Sequence, residues 1–310
     1  MNEHKKHSKL KEIYIKHYKK LLIIPILLLV LALVQIGYQT ATTGDFVNKG
    51  VSIKGGLVVT IPNEKLADNS NIDIKELQAE LKSGYSFDIL VKDMKEAGKQ
   101  ISIIIEADVT DKEESDSFIE ALEKRFDVAS KDMNIEMTGS SLGKSFFKDI
   151  IFALLLAFLF MGIVVFLYFR TIVPSLAVML AAFSDMTITL AIINLMGMKI
   201  SSAGIVAFLL LIGYSVDTDI LLTVRVLKRK EGHYMDRVFN AIKTGLTMNL
   251  TTLAAVIVAL LISRSEIITQ IMTILLIGLI IDIINTWIQN VGILRLYMES
   301  KERKASANKE

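Results

Sequence analysis

Seven polar side chains interrupt long apolar runs of this 310-residue chain: Asp185, Asp217, Asp219, Asn249, Asp282, Asn285 and Gln289. A charge at the centre of a bilayer costs ~2.5–3.5 kcal/mol on insertion scales, so each carboxylate needs a partner, a water-lined cavity or a function. Two chemistries fit these residue types. Desolvation disfavours the charged form of a carboxyl, and a group poised between charged and neutral carries protons when access alternates between the two sides of a membrane. The same side chains can also serve as hydrogen-bonding glue between helices. The densest group is GYSVDTDILL, Gly213 to Leu222. Its aspartates are two residues apart, hence ~200° around a helix, and must have different neighbours. If one faces a central cavity, the other meets a neighbouring helix or another subunit.

The elements that position these groups follow from composition. The chain is 52% hydrophobic, has only 3 prolines and has a mean hydropathy of +0.48, which defines a membrane protein. A hydrocarbon core of ~30 Å needs ~20 apolar residues per helix. Blocks 21–38, 149–169, 174–195, 201–225, 244–263 and 267–294 meet that need, which gives six spans. The basic leader, residues 1–20, has no small-residue cleavage site after its apolar run, so span one reads as a retained helix. The leader carries seven lysines. The 226–243 loop and the 295–310 tail are also basic, and six spans put all three on one side. The excess of Lys and Arg makes that side cytoplasmic. Residues 39–148 then face outward, and between 40 and 148 there are 20 acidic against 14 basic residues. Counting 1.5 Å per residue from the cytoplasmic ends puts Asp185 ~16 Å deep, Asp217 ~12 Å, Asn249 ~9 Å and Asp282 ~20 Å, a shared polar layer.

The outward segment is long enough to fold alone. Its pattern predicts strand 51–61, helix 73–82, strand 86–94, strand 100–107, helix 111–126 and strand 133–138. Asp73 with Glu76, and Thr110 with Glu113, form capping boxes; KEAGK at 95–99 forms a hairpin turn. This βαββαβ order is the ferredoxin-like, α+β arrangement. The expected fold class is therefore a membrane all-α six-helix bundle with one external α+β domain inserted between spans one and two.

Several functions are excluded or disfavoured. With no cysteine there is no disulfide or Cys-based metal site, and His4, His7 and His17 in the leader match no closed metal site. The external segment gathers no nucleophile, base and oxyanion site. GSSLGKSF is one residue short of a GxxxxGK[ST] phosphate loop, which argues against nucleotide use. The chain is expected to be no enzyme and to need no cofactor. An intramembrane aspartyl protease would use Asp185 with Asp217, but FSD and YSVD do not supply the flanking residues of that class.

GYSVDTDILLTVRV resembles the fourth-span motif of the SecD/SecF protein-export family, a branch of the resistance-nodulation-division superfamily, in a form closer to archaeal than bacterial members. AFSDMTITL around Asp185 resembles that family's third-span His-Asp motif, with Ser184 in place of His. TGLTMNLTTL resembles the Thr-rich opening of span five, GVSIKGGLVVTI the Gly-Gly strand of the external domain, and TGSSLGKSF the opening of span two. The resemblance covers the chain from span one to span six. Aligned on Gly-Tyr-Ser, the aspartate of one family subunit falls at Thr218 and that of its partner at Asp217. The resemblance therefore implies Asp217 as the first proton-coupling candidate and Asp219 as the second. Asp185, Asn249 and Asp282 accompany them, with Lys243 about one residue out of register with the arginine of the family. It implies a subunit that pairs with a SecD-like partner beside the SecYE translocon in the cytoplasmic membrane. There, among membrane lipids, it assists a translocating polypeptide using protons. A lipid or small-molecule exporter of the same superfamily, or a structural assembly subunit, are the alternatives.

Overall fold

The computed structural model describes residues 14, 16–66, 72–96, 99–228, 234–263 and 265–307. His4, His7, most of the basic leader, Arg229, Lys230 and the Ala97–Gly98 tip of the expected hairpin turn lie outside these. Among the described residues, six helices are long and apolar enough to cross a membrane. Span one is α1 (Ile23–Thr43). A helical turn, Val51–Lys54, leads into the small domain: β1 (Gly56–Pro62), α2 (Ile74–Gly84), β2 (Ile89–Glu96), β3 (Lys99–Ala107), α3 (Lys112–Phe126) and β4 (Asn134–Thr138). Spans two to five are α4 (Ser140–Phe169), α5 (Ile172–Leu195), α6 (Ser202–Leu227) and α7 (Tyr234–Ile262). Span six runs through α8 (Glu266–Ile284), a π-helical segment Asn285–Asn290, and α9 (Val291–Ala307).

The strands form one antiparallel sheet in the order β2-β3-β1-β4. Alternation along β1 and β3 buries Leu57, Val59, Ile61, Ile103 and Ile105 on one face with Leu77, Phe118 and Leu122 of the two helices. Tyr85 and Phe87 meet the Phe118 ring edge-on, with centroids 4.8 and 5.4 Å away. The expected strand 51–61 is corrected at its start. Residues 51–54 are helical, and the chain turns into β1 through Gly55 and Gly56 at φ 94° and 139°. A Cβ on Gly56 would stand 2.6 Å from the Ala107 carbonyl oxygen, so β1 can approach β3 here only as glycine. The second cap is also corrected, from Thr110 to Asp111. Its carboxylate accepts from the Glu113 and Glu114 amides at 2.9 and 3.2 Å, two of the donors that a helix start leaves unpaired. Helices α4 and α7 begin nine and ten residues before the apolar blocks at 149 and 244. Bilayer thickness limits the apolar run, while helical hydrogen bonding continues into water.

In the bundle, spans three and four are buried over more than half of their apolar stretches, and spans one, two and five over less than a fifth. Spans one and two both pack on span three. The sheet domain is fastened to the loop between spans three and four. The Gly50 amide donates to the Ile200 carbonyl at 2.8 Å and the Ile200 amide to the Asn48 carbonyl at 2.7 Å, a one-residue parallel bridge. The Asn194 amide group donates to the Phe46 carbonyl at 3.0 Å, and Lys199 pairs with Asp88 at 3.1 Å. At the opposite end of the bundle the Tyr18 hydroxyl donates to Glu299 at 2.7 Å, so both described ends of the chain lie together.

Candidate functional site: a buried carboxyl cluster

Three carboxyls and their partners occupy the interior of the bundle. Asp185 of α5, Asp219 of α6 and Asp282 of α8 are fully buried. Ser215 donates to Asp185 at 2.5 Å and Asn285 to its other oxygen at 2.7 Å. Asn249 of α7 donates to Asp282 at 2.9 Å and its own carbonyl oxygen accepts from Thr218 at 3.3 Å. Asn290 donates to Asp219 at 2.7 Å. The Thr286 hydroxyl lies 3.0 Å from Asp219 and 3.1 Å from Asp282. It has one proton, so it serves one carboxyl at a time. Asp185 is within electrostatic reach of both other carboxyls.

Local geometry explains which residues meet. Ser215 and Asp219 are one turn apart on the inner face of α6; Asp217, two residues from each, falls on the opposite face. Asp217 is exposed there, in line with Val206, Leu210 and Tyr214. Lys243 is exposed too. The shared layer expected from depth thus assembles through Asp185, Asp219, Asn249 and Asp282 with Thr218, and neither Asp217 nor Lys243 enters it. On span six the π-helical segment widens the turn, which brings Asn285, Thr286, Gln289 and Asn290 all inward. Gln289 donates to Ser184 at 3.2 Å, at the position where the resembling motif carries histidine. Gly245 lets α7 close over the site: a Cβ there would stand 2.2 Å from the Trp287 ring and 3.2 Å from Thr218.

The hydrogen-bond partners of the cluster are hydroxyl and amide side chains, with no basic residue among them in the described structure. Three like charges packed this closely at bilayer depth repel one another and lack compensation. Among the described residues, Oδ2 of Asp219 has no hydrogen-bond partner, and neither have the Asn285 and Asn290 carbonyl oxygens. The arrangement is one of acceptors in excess of donors, chemistry suited to holding protons on carboxyls. Sequence reasoning did not single out Ser215, Thr286 or Asn290. A signal was present: 282, 285, 286, 289 and 290 are polar at the spacing of one helical face.

Fold and site together define a six-span membrane protein whose buried carboxyls lie beneath a sheet domain inserted after the first span. Residues 118–300 match the family described as "Protein export membrane protein SecD/SecF, C-terminal". The chain is 36% identical over 288 residues to a SecF of Pyrococcus furiosus, covering 92% of this chain and 93% of that one. It is 38% identical over 300 residues to a SecF of Methanocaldococcus jannaschii, covering 94% and 99%. The chain belongs to the SecD/SecF family of protein-export membrane proteins. A crystal structure of SecDF, a translocon-associated membrane protein from Thermus thermophilus, shares the fold with a TM-score of 0.71 at 17% identity over 92% of this chain. This chain spans 38% of that SecDF chain.

Proposed function

We propose that this chain is a non-enzymatic subunit of the Sec export machinery that couples proton movement to polypeptide translocation, together with a SecD-like partner beside SecYE. The observation that carries this reading is the buried carboxyl cluster, with acceptor oxygens in excess and no basic partner among the described residues. One charge crossing 100 mV supplies ~2.3 kcal/mol, enough to bias two arrangements of a bundle. Asp219 and Asp185 are the central proton-carrying groups, with Asp282 linked to Asp219 through Thr286. In this reading the basic ends of the chain are cytoplasmic, the sheet domain is outside, and its βαββαβ order makes it ferredoxin-like. The Asp217 face of α6 meets the SecD-like subunit, because a carboxylate exposed at bilayer depth needs a partner more polar than lipid.

The cluster also ties four spans together, which favours a purely structural role, and one pair of variants separates the two. Asp219→Asn keeps shape and hydrogen bonding but cannot exchange a proton. Export in cells carrying it is expected to fall to the level of cells depleted of the chain, with protein level and SecD pairing unchanged. Normal export by Asp219→Asn would leave the cluster as interhelical glue. Asp217→Asn is expected to act differently, weakening copurification of the SecD-like partner.

A further inference from the structure

The helices α2 and α3 cover one face of the sheet, and the other face looks onto the loops that join spans three and four and spans five and six. Between them lies a cleft of about 320 Å³. Its floor follows from strand register: Val58 stands between Glu106 and Glu136, and Thr60 between Ile104 and Asn134. Its opposite wall includes Ser201 and Gln270.

The informative residue is Glu106. It is 8% exposed, and its Oε1 takes an ion pair from Lys92 at 2.5 Å. Its Oε2 is buried with no hydrogen-bond partner among the described residues. Buried acceptors are rarely left unpaired. Because Lys92 already answers the charge, what is unmet is acceptor capacity, which a neutral N–H satisfies. The terminal torsion of a glutamate is broad, so a partial rotation turns the unpaired oxygen toward the cleft while the other keeps Lys92.

We infer that this cleft holds a stretch of extended polypeptide, whose backbone amides donate to Glu106 while its side chains rest on Val58 and Ile104. A chain in extended form carries a free amide at every residue other than proline, so recognition of this kind ignores sequence, as an export client demands. Strands lie ~4.8 Å apart, so crossing from Lys92 on β2 to Glu136 on β4 covers about 14 Å, the length of roughly four extended residues. The mixed lining fits as well: apolar floor for unspecified side chains, with a few fixed polar groups for the backbone. The inference rests on the export reading and deepens it by naming where the client touches this subunit.

The test uses the full chain with its partner in native membranes and, as probe, a secretory polypeptide stalled in the channel by a folded C-terminal domain. A photoreactive side chain is placed at Thr60, at Asn134, or at Glu120 on the helical face of the domain. Adducts to the stalled polypeptide are expected from Thr60 and Asn134 and not from Glu120. Glu106→Met should lower the Thr60 adduct about tenfold, the loss of one hydrogen bond to a charged group, while Glu106→Gln, which keeps an acceptor, lowers it less. Equal adducts from Glu120, adducts only to lipid or to the partner subunit, or no effect of Glu106→Met in a folded variant would overturn the inference. If depleting the chain slows export yet the cleft positions never label the client, the cleft fails alone. If depletion leaves export unchanged, the export reading fails with it.

Discussion

The sheet domain and the bundle interior are built in opposite senses. In the domain, apolar side chains fill the centre and the charges other than Glu106 lie outside, in ion pairs such as Glu80–Arg125. In the bundle, Asp185, Asp219 and Asp282 are enclosed together with apolar clusters such as Leu211, Ile274 and Leu279, while Leu155, Val164 and Leu167 point outward. The difference is one of solvent. Water drives the domain to hide its apolar area, whereas lipid tails are as apolar as leucine, so burial of a leucine gains less in the bundle and the intramembrane carboxyls other than Asp217 turn inward.

The sharpest way to break this contrast is to make matched truncations in the two regions. Phe118→Ala is expected to cost about 3–5 kcal/mol, the usual range for a buried aromatic, and to open the sheet domain to protease. Leu155→Ala, exposed on the lipid-facing side of span two, should change unfolding in detergent by less than about 0.5 kcal/mol. Equal effects would mean that the outward face of span two is packed as tightly as the centre of the domain.

A smaller effect is expected from crowding the polar centre. Gly245→Leu drives a side chain into Trp287 and should cost about 1–3 kcal/mol through overpacking. It should also slow export, because α7 is displaced from the Asn249–Asp282 contact. Full export with lowered thermal stability would separate packing at this point from function.

The smallest effect concerns the domain's surface charges and its tie to the bundle. Burial acts against the Asp88 charge, but hydrogen bonds from Lys82 and Lys199 outweigh it and hold the carboxyl below its ordinary value of 3.8. Hydrogen bonding from Arg125 likewise holds Glu80 below 4.5. A carboxyl depressed in the folded state stabilises fully above its ordinary value and loses that contribution as pH falls through the folded one. Protection of the 197–200 loop from hydrogen exchange should therefore be constant between pH 7 and about 5 and decline below about 4. Both carboxyls are partly exposed, so the change should stay below about 1 kcal/mol. Lys199→Met should remove the Asp88 share of the decline, and an unchanged profile would show that backbone pairing at Ile200 alone secures the domain.

Much of the scaffold was legible in the sequence because its signals are local. Apolar run length marked six spans, and alternation and caps marked the order of strands and helices, although the start of β1 lay five residues beyond the expected Val51. The site was legible only in part. Asp185, Asn249 and Asp282 were visible as polar residues in the wrong solvent, and helical geometry alone required Asp217 and Asp219 to diverge. The choice between those two aspartates depends on the rotation of α6 about its axis, which its neighbours set. Motif alignment pointed to Asp217, whereas packing puts Asp219 in the cluster. Taken one at a time, Ser215, Thr286 and Asn290 are unremarkable in sequence, because a hydroxyl or amide in a span can bond its own backbone at little cost. They become partners only when the widened turn of span six faces α5 and α6.

The sequence by itself determined the solvent of each segment, and with it the spans, the inserted domain and the presence of intramembrane carboxyls, since transfer free energy is a property of a run of residues. Tertiary structure alone decided which carboxyls share an environment and where Glu106 is left with an unpaired oxygen. Those are relations between groups distant in the chain, set by helix rotation and sheet register rather than by any local preference.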